Sequence, residues 1–168
     1  MKFLLLGFTP ATSFYFISFC LVLGLISLTY SSFLALRQVD LKKIVAYSSV
    51  AHMSLTLLGL MSCSTSGILG AIVLMLAHGF VSAALFFLVG MVYHRLGTRL
   101  VKYCGGFALV CPYLTFFFFS FSCANLGFPG TLNFIGEFLI FVGLVSGPFL
   151  YIAFLSILPF VLTLLYTI

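Results

Sequence analysis

Leu126-Gly127-Phe128-Pro129-Gly130-Thr131-Leu132-Asn133-Phe134-Ile135-Gly136-Glu137-Phe138 sets helix breakers and a lone carboxylate into otherwise apolar sequence. Proline lacks the backbone donor and crowds the preceding turn, while glycine frees the backbone, so Gly127, Pro129 and Gly130 predict an interrupted helix. Glu137 follows shortly after the break. It is one of only two acidic residues in the chain, and no other charge lies between Lys102 and the last residue. A charge at membrane depth is costly and marks an ion pathway or a paired site. Broken backbone at that depth carries the same message, because its free polar groups must face protein or a wet cavity rather than lipid.

Composition makes the surroundings a membrane. The 168 residues are 64% hydrophobic and 5% charged, with mean hydropathy +1.36, far outside the range of a soluble domain. A spanning helix needs about 20 mostly apolar residues, so the charge-free run from Ile44 to His94 must hold two helices and the whole chain about five or six. The fold expected is all-α, a polytopic transmembrane helical bundle forming one domain over residues 1–168. The net charge of +5 would suit nucleic acid, but the basic residues are spread over short loops without the clustered stripe that phosphate binding needs. No nucleic-acid partner is expected. Cys20, Cys63, Cys104, Cys111 and Cys123 form no Cys-x-x-Cys pair and have no histidine at metal-ligand spacing, and read as small apolar fillers; no metal site is expected.

Met1, Lys2 and the apolar Phe3 to Phe8 share features with a signal peptide, yet no small-residue cleavage site follows and another apolar run begins at once. An Arg-rich, Ser-rich transit peptide is also absent. A mitochondrial location would therefore imply synthesis inside the organelle, and the 22 phenylalanines suit an AT-rich genome.

The first span runs from about Phe14 to Leu36 and ends in the charged turn Arg37 to Lys43, where Asp40 is placed to cap the next helix. Lys42 is not placed in a proton path. The second span covers about Ile44 to Met61, with Ser48, His52 and Thr56 recurring every four residues on one face. Two readings stay open for that stripe: interhelical hydrogen bonding, or a protonatable relay, which histidine suits because its pKa lies near neutral. After the polar turn Cys63 to Gly67, a third span reaches about Tyr93. His78 sits mid-helix, structural or in a pathway, with Ser82 one turn on and Gly79 and Ala83 offering small surfaces for close helix packing. His94 reads as an exposed loop residue. The fourth span runs from about Ala108 to Val145, broken at 127–130, with Asn125 and Asn133 flanking the break. A Ser146-Gly147-Pro148 turn leads to the last span, Phe149 to Ile168. With the broken helix crossing once there are five spans, and Arg37, Lys42, Lys43, Arg95, Arg99 and Lys102 fall on one side, the matrix or cytoplasm by the positive-inside rule. Counting the two halves of the broken helix as separate crossings gives six and leaves Glu137 nearer an edge. The five-span count keeps it near mid-membrane and is preferred.

Taken together, Leu36-Arg37-Gln38-Val39-Asp40-Leu41-Lys42, Ile44-Val45-Ala46-Tyr47-Ser48-Ser49-Val50-Ala51-His52-Met53, Leu76-Ala77-His78-Gly79 and Pro129 to Phe138 resemble, in the right order, the chain 4 family of NADH:ubiquinone oxidoreductase. These are the antiporter-like proton-pumping subunits of respiratory complex I. Glutamate in the broken helix favours chain 4 over the related chains 2 and 5, which typically carry lysine there. The resemblance covers almost the whole chain, but only the second of the family's two inverted five-helix repeats, helices nine to thirteen. The glutamate on the family's helix five and the lysines on its helices seven and eight have no counterpart. The resemblance therefore implies the C-terminal part of a pump subunit, completed by a separate chain carrying the N-terminal half.

By motif match, His52 and His78 take the places of the family's relay histidines and Glu137 that of its helix-twelve carboxylate. The chemistry agrees, since a carboxyl group kept from water and an imidazole can both exchange protons near neutral pH. The implied role is proton translocation driven by NADH oxidation and ubiquinone reduction elsewhere in an H+-translocating NADH:ubiquinone reductase. The expected setting is the mitochondrial inner membrane, or alternatively a bacterial plasma membrane, with other membrane-arm subunits and lipids as partners. The sequence holds no cofactor motif, nucleotide loop or nucleophile constellation, so the chain itself is expected to bind neither NADH nor quinone. A cation/proton antiporter subunit and a structural membrane-arm subunit without pumping are the alternatives.

Overall fold

In sequence this apolar, backbone donors and acceptors must be satisfied within the protein, and a helix does so within one segment. The computed structural model describes residues 10–147 and 150–167, apart from the side chains of 10–15, 107, 160 and 162–167. The stretch Met1 to Phe8 weighed as a signal peptide lies outside the described residues, as do Pro148, Phe149 and Ile168 at the edges of the last span. The described residues form α1 (Pro10–Leu36), α2 (Leu41–Leu60), α3 (Thr65–Leu96), α4 (Phe107–Val110), α5 (Pro112–Asn125), α6 (Leu132–Ser146) and α7 (Leu150–Thr167), with a 3-10 turn at Val101–Tyr103. Among them α1, α2 and α3 are long and apolar enough to cross a membrane, while α6 and the stretch Leu150–Pro159 of α7 are shorter apolar helices.

Local chemistry sets several of these limits. Ser64 caps α3 by accepting from the Gly67 N–H at 3.1 Å, and α3 stops at Gly97, whose φ of +69° is left-handed. Asp40 occupies the N-cap of α2 but makes no capping bond; its carboxylate lies instead 3.3 Å from the Lys43 ammonium. The helix expected from Ala108 is interrupted by Cys111 and restarts at Pro112. Proline has no N–H to give the preceding turn and suits a first helical position.

The core joins Leu21 and Leu28 of α1, Leu55 and Leu58 of α2, Leu74 of α3, Ile140 and Leu144 of α6 and Ile152 of α7. α3 and α6 share the most extensive helix contact, and small residues let their backbones approach. A Cβ on Gly136 would stand 2.9 Å from the Leu74 backbone, one on Gly70 would stand 2.8 Å from the Ile140 nitrogen, and one on Gly143 would run into the Gly67 backbone. No close packing is made at Gly79 and Ala83 among the described residues: both are exposed, and a Cβ on Gly79 would meet nothing within 4 Å. His78 points inward, and the next residue on a helix is turned about 100° away from it.

An antiparallel bridge pairs Asp40 with Leu100, with Leu41 N–H to Arg99 C=O and Val101 N–H to Val39 C=O both at 3.0 Å. The two basic loops thus meet at one end of the bundle. Arg95 Nη1 donates to Cys111 Sγ at 2.8 Å and holds the start of α5 at that same end. At the opposite end, the close of α6 lies against the α2–α3 turn, where a Cβ on Gly147 would sit 2.8 Å from the Ser62 carbonyl oxygen. The broken pair α5 and α6 therefore traverses the bundle once.

Candidate functional site

Three helices bring their one inward ionisable side chain to a common point. His52 of α2, His78 of α3 and Glu137 of α6 are 4%, 3% and 2% exposed. Glu137 Oε1 stands 3.2 Å from His52 Nδ1. The His52 and His78 ring centroids are 4.9 Å apart with the planes tilted by 37°. All three residues singled out in the sequence are thus in one row, carboxylate, imidazole, imidazole, and His94 is exposed at the end of α3.

Glu137 reaches this row because the helix is broken. Thr131 caps α6 by accepting from the Phe134 N–H at 3.4 Å, and Asn133, one turn before Glu137, donates its amide to the Ala124 carbonyl at 2.9 Å. That bond ties the first turn of α6 to the last turn of α5. Asn125 and Asn133 are both buried. Between the half-helices Gly127 has a left-handed φ of +67°, and the place its side chain would take is filled by Glu137 Oε2. Sequence reasoning read Gly127 as a helix breaker only. Its contact with the carboxylate spans ten positions across a break and has no local spacing signal, whereas Asn133 could be read one turn ahead of Glu137.

The polar stripe of α2 divides by chemistry. Ser48 donates to Val45 C=O at 2.8 Å and Thr56 to Met53 C=O at 2.7 Å, so both hydroxyls serve their own helix. Among the described residues, His52 Nε2, both ring nitrogens of His78, the side-chain oxygens of Asn125 and Asn133 and both oxygens of Glu137 find no hydrogen-bond partner. Buried polar atoms are ordinarily paired, and most of the unpartnered ones belong to this row and the two asparagines beside the break. Ser82, one turn on from His78, bonds Gly79 C=O of its own helix at 3.3 Å. Among the described residues no group of three or more His, Cys, Asp or Glu could hold a metal ion. The contact between Glu137 and His52 suits a single shared proton, because carboxylate with imidazolium and carboxyl with imidazole carry the same net charge.

Residues 1–163 match the family described as NADH:quinone oxidoreductase/Mrp antiporter, TM. The chain belongs to this family. This NADH:quinone oxidoreductase/Mrp antiporter member is 50% identical over 134 residues to NADH-ubiquinone oxidoreductase chain 4 of Marchantia polymorpha, a match covering 80% of the chain and 27% of that relative. It is 40% identical over 168 residues to the chain 4 protein of Acanthamoeba castellanii, covering 100% of the chain and 33% of the relative. Among solved structures, a chain of the respiratory complex I from Thermus thermophilus with bound NADH is similar at a TM-score of 0.88 and 29% identity, over 94% of this chain and 34% of that one. The family member thus spans about a quarter to a third of the length of these relatives.

Proposed function

We propose that the chain is a proton-translocating membrane-arm subunit of respiratory complex I, the C-terminal part of its chain 4, in which Glu137, His52 and His78 form a buried proton relay. The observation that carries this reading is the row itself: three protonatable side chains from three helices, nearly withdrawn from solvent, with one 3.2 Å contact and unpartnered polar atoms beyond it. A structural trio would have spent those atoms on hydrogen bonds. In the relay a proton passes between Glu137 Oε1 and His52 Nδ1. His52 then presents Nε2 toward the next acceptor, and His78, its ring tilted beside that of His52, passes the proton on by ring reorientation or through water. Redox chemistry elsewhere in the complex supplies the drive.

The relatives' names support placement in an assembly that oxidises NADH and reduces ubiquinone. In the mitochondrial inner membrane the positive-inside rule turns the end carrying Arg37, Lys42, Lys43, Arg95, Arg99 and Lys102 toward the matrix. With the broken helix crossing once, the chain makes five passes, and exposed Phe80, Phe87, Phe116 and Phe119 face lipid or neighbouring membrane-arm subunits. The helices that the relatives carry beyond the matched part belong to the same assembly. Native separation of solubilised membranes with mass spectrometry tests the assembly: comigration with NADH-dehydrogenase activity and with peptides of those helices is expected, and migration as a small species without that activity would refute it. For the relay, Glu137→Gln in the assembled complex is expected to abolish proton transport through this subunit while NADH oxidation by isolated peripheral redox centres persists. Undiminished protons moved per NADH would sink the assignment.

A further inference from the structure

We infer that Gly127 is a positioning residue for Glu137: its bare Cα forms the wall that holds the carboxylate against His52. The inference rests on the relay reading and adds to it the residue that sets the geometry of the first transfer. Three observations meet at this point. The N–H of Gly127 bonds the Ala124 carbonyl at 3.2 Å, and the left-handed turn that follows, φ +67°, lays the Cα over the carboxyl group. A Cβ there would overlap Glu137 Oε2 and stand 3.2 Å from its Cδ and 3.5 Å from Oε1. On the other side of the same carboxyl group, Oε1 faces His52 Nδ1 at 3.2 Å.

Neither carboxylate oxygen accepts a hydrogen bond from the described residues. The orientation of the group is therefore set by what it touches, His52 on one side and the glycine wall on the other. A methyl group at position 127 must displace the carboxyl group, and proton transfer depends steeply on the placement of donor and acceptor. Gly130 supplies the internal comparison. It also lies in the break with a positive φ, +104°, beyond the left-handed region that L-residues tolerate, so a side chain there is strained more than at +67°, but its Cβ would meet nothing within 4 Å. Alanine at 127 thus carries the smaller backbone penalty, and it alone meets Glu137.

The test compares Gly127→Ala and Gly130→Ala in the assembled complex, each with Glu137 and with Glu137→Asp, whose carboxylate is one methylene shorter. Protons moved per NADH are measured as a function of pH. Gly127→Ala is expected to lower the ratio by most of this subunit's share and to displace its pH profile, while Gly130→Ala leaves the profile in place. In the Glu137→Asp background, Gly127→Ala should cost much less, because the shorter side chain vacates the contested volume. If Gly127→Ala alone does not assemble, restored assembly in the Asp background is the expected result, and failure to restore it while Gly130→Ala assembles would overturn the inference. Identical pH profiles for the two alanine variants would overturn it as well. Undiminished pumping with Glu137→Gln would instead remove the relay reading beneath it, so the two failures are distinguishable.

Discussion

Two sets of buried polar side chains lie on different sides of α2, and they are built on opposite rules. Toward α1, Ser27 donates to Ser54 at 2.6 Å, Ser54 donates to Val50 C=O at 2.7 Å, and Ser31 and Ser32 give their protons to carbonyls of their own helix at 2.7 and 2.6 Å. Every hydroxyl there is spent. Toward α3 and α6, His52, His78 and Glu137 meet with one 3.2 Å contact, and most of their polar atoms find no hydrogen-bond partner among the described residues. Hydrogen bonding, mostly within a helix and once between α1 and α2, accounts for the serines without remainder. It leaves the ionisable row unexplained, because unpaired buried polar atoms cost free energy.

The strongest way to break this comparison is His52→Gln. Glutamine retains an amide donor of similar reach but carries no exchangeable charge near neutral pH, so it preserves a structural contact and removes a proton carrier. Proton transport by the assembled complex is expected to fall on the order of a hundredfold, with assembly retained on native gels. Transport near the original rate would place the histidine row in the same class as the serines.

Next in size is Gly136→Ala, which probes the seam that brings the row together. The new Cβ would stand 2.8 Å from Leu74 Cβ and 2.9 Å from the Leu74 backbone. Rotation of a side chain cannot relieve a backbone contact, so α3 and α6 must separate at a cost of about 1–3 kcal/mol. Thermal denaturation of the complex should show the loss, and Glu137, the adjacent residue, should move with the helix. An unchanged denaturation midpoint would mean that glycines do not set the α3–α6 distance.

The difference between the two polar sets also explains what could be read beforehand. Glu137 was legible because one carboxylate in a long charge-free stretch has few explanations, and the break because Gly127, Pro129 and Gly130 cluster. His52 and His78 stood out by residue type, though spacing alone left both structural and functional readings open. Which glycines pack helices was not legible. Gly79 and Gly70 look alike in a window of sequence, yet one is exposed and the other lies against α6, and that depends on which face the tertiary fold covers. The contact of Gly127 with Glu137 was hidden for the same reason, since it joins residues on either side of a chain reversal. The restart at Pro112 was present in the sequence as a proline at a first helical position, but a continuous apolar run concealed it.

Ser54→Ala gives the smallest expected effect and the cleanest contrast. Each serine hydroxyl has one proton. Ser54 gives its own to Val50 C=O and accepts from Ser27, while Ser27 also lies 3.0 Å from Gly24 C=O. Removing the Ser54 hydroxyl lets the Ser27 proton turn to that carbonyl within its own helix. No buried donor is stranded, and the loss is the interhelical bond alone, about 0.6 kcal/mol by analogy with such bonds in other membrane proteins. The denaturation midpoint should move slightly and proton transport per NADH should stay the same. A fall in transport without a change in stability would extend the proton route to the α1 side of α2 and erase the distinction between a satisfied polar contact and a working one.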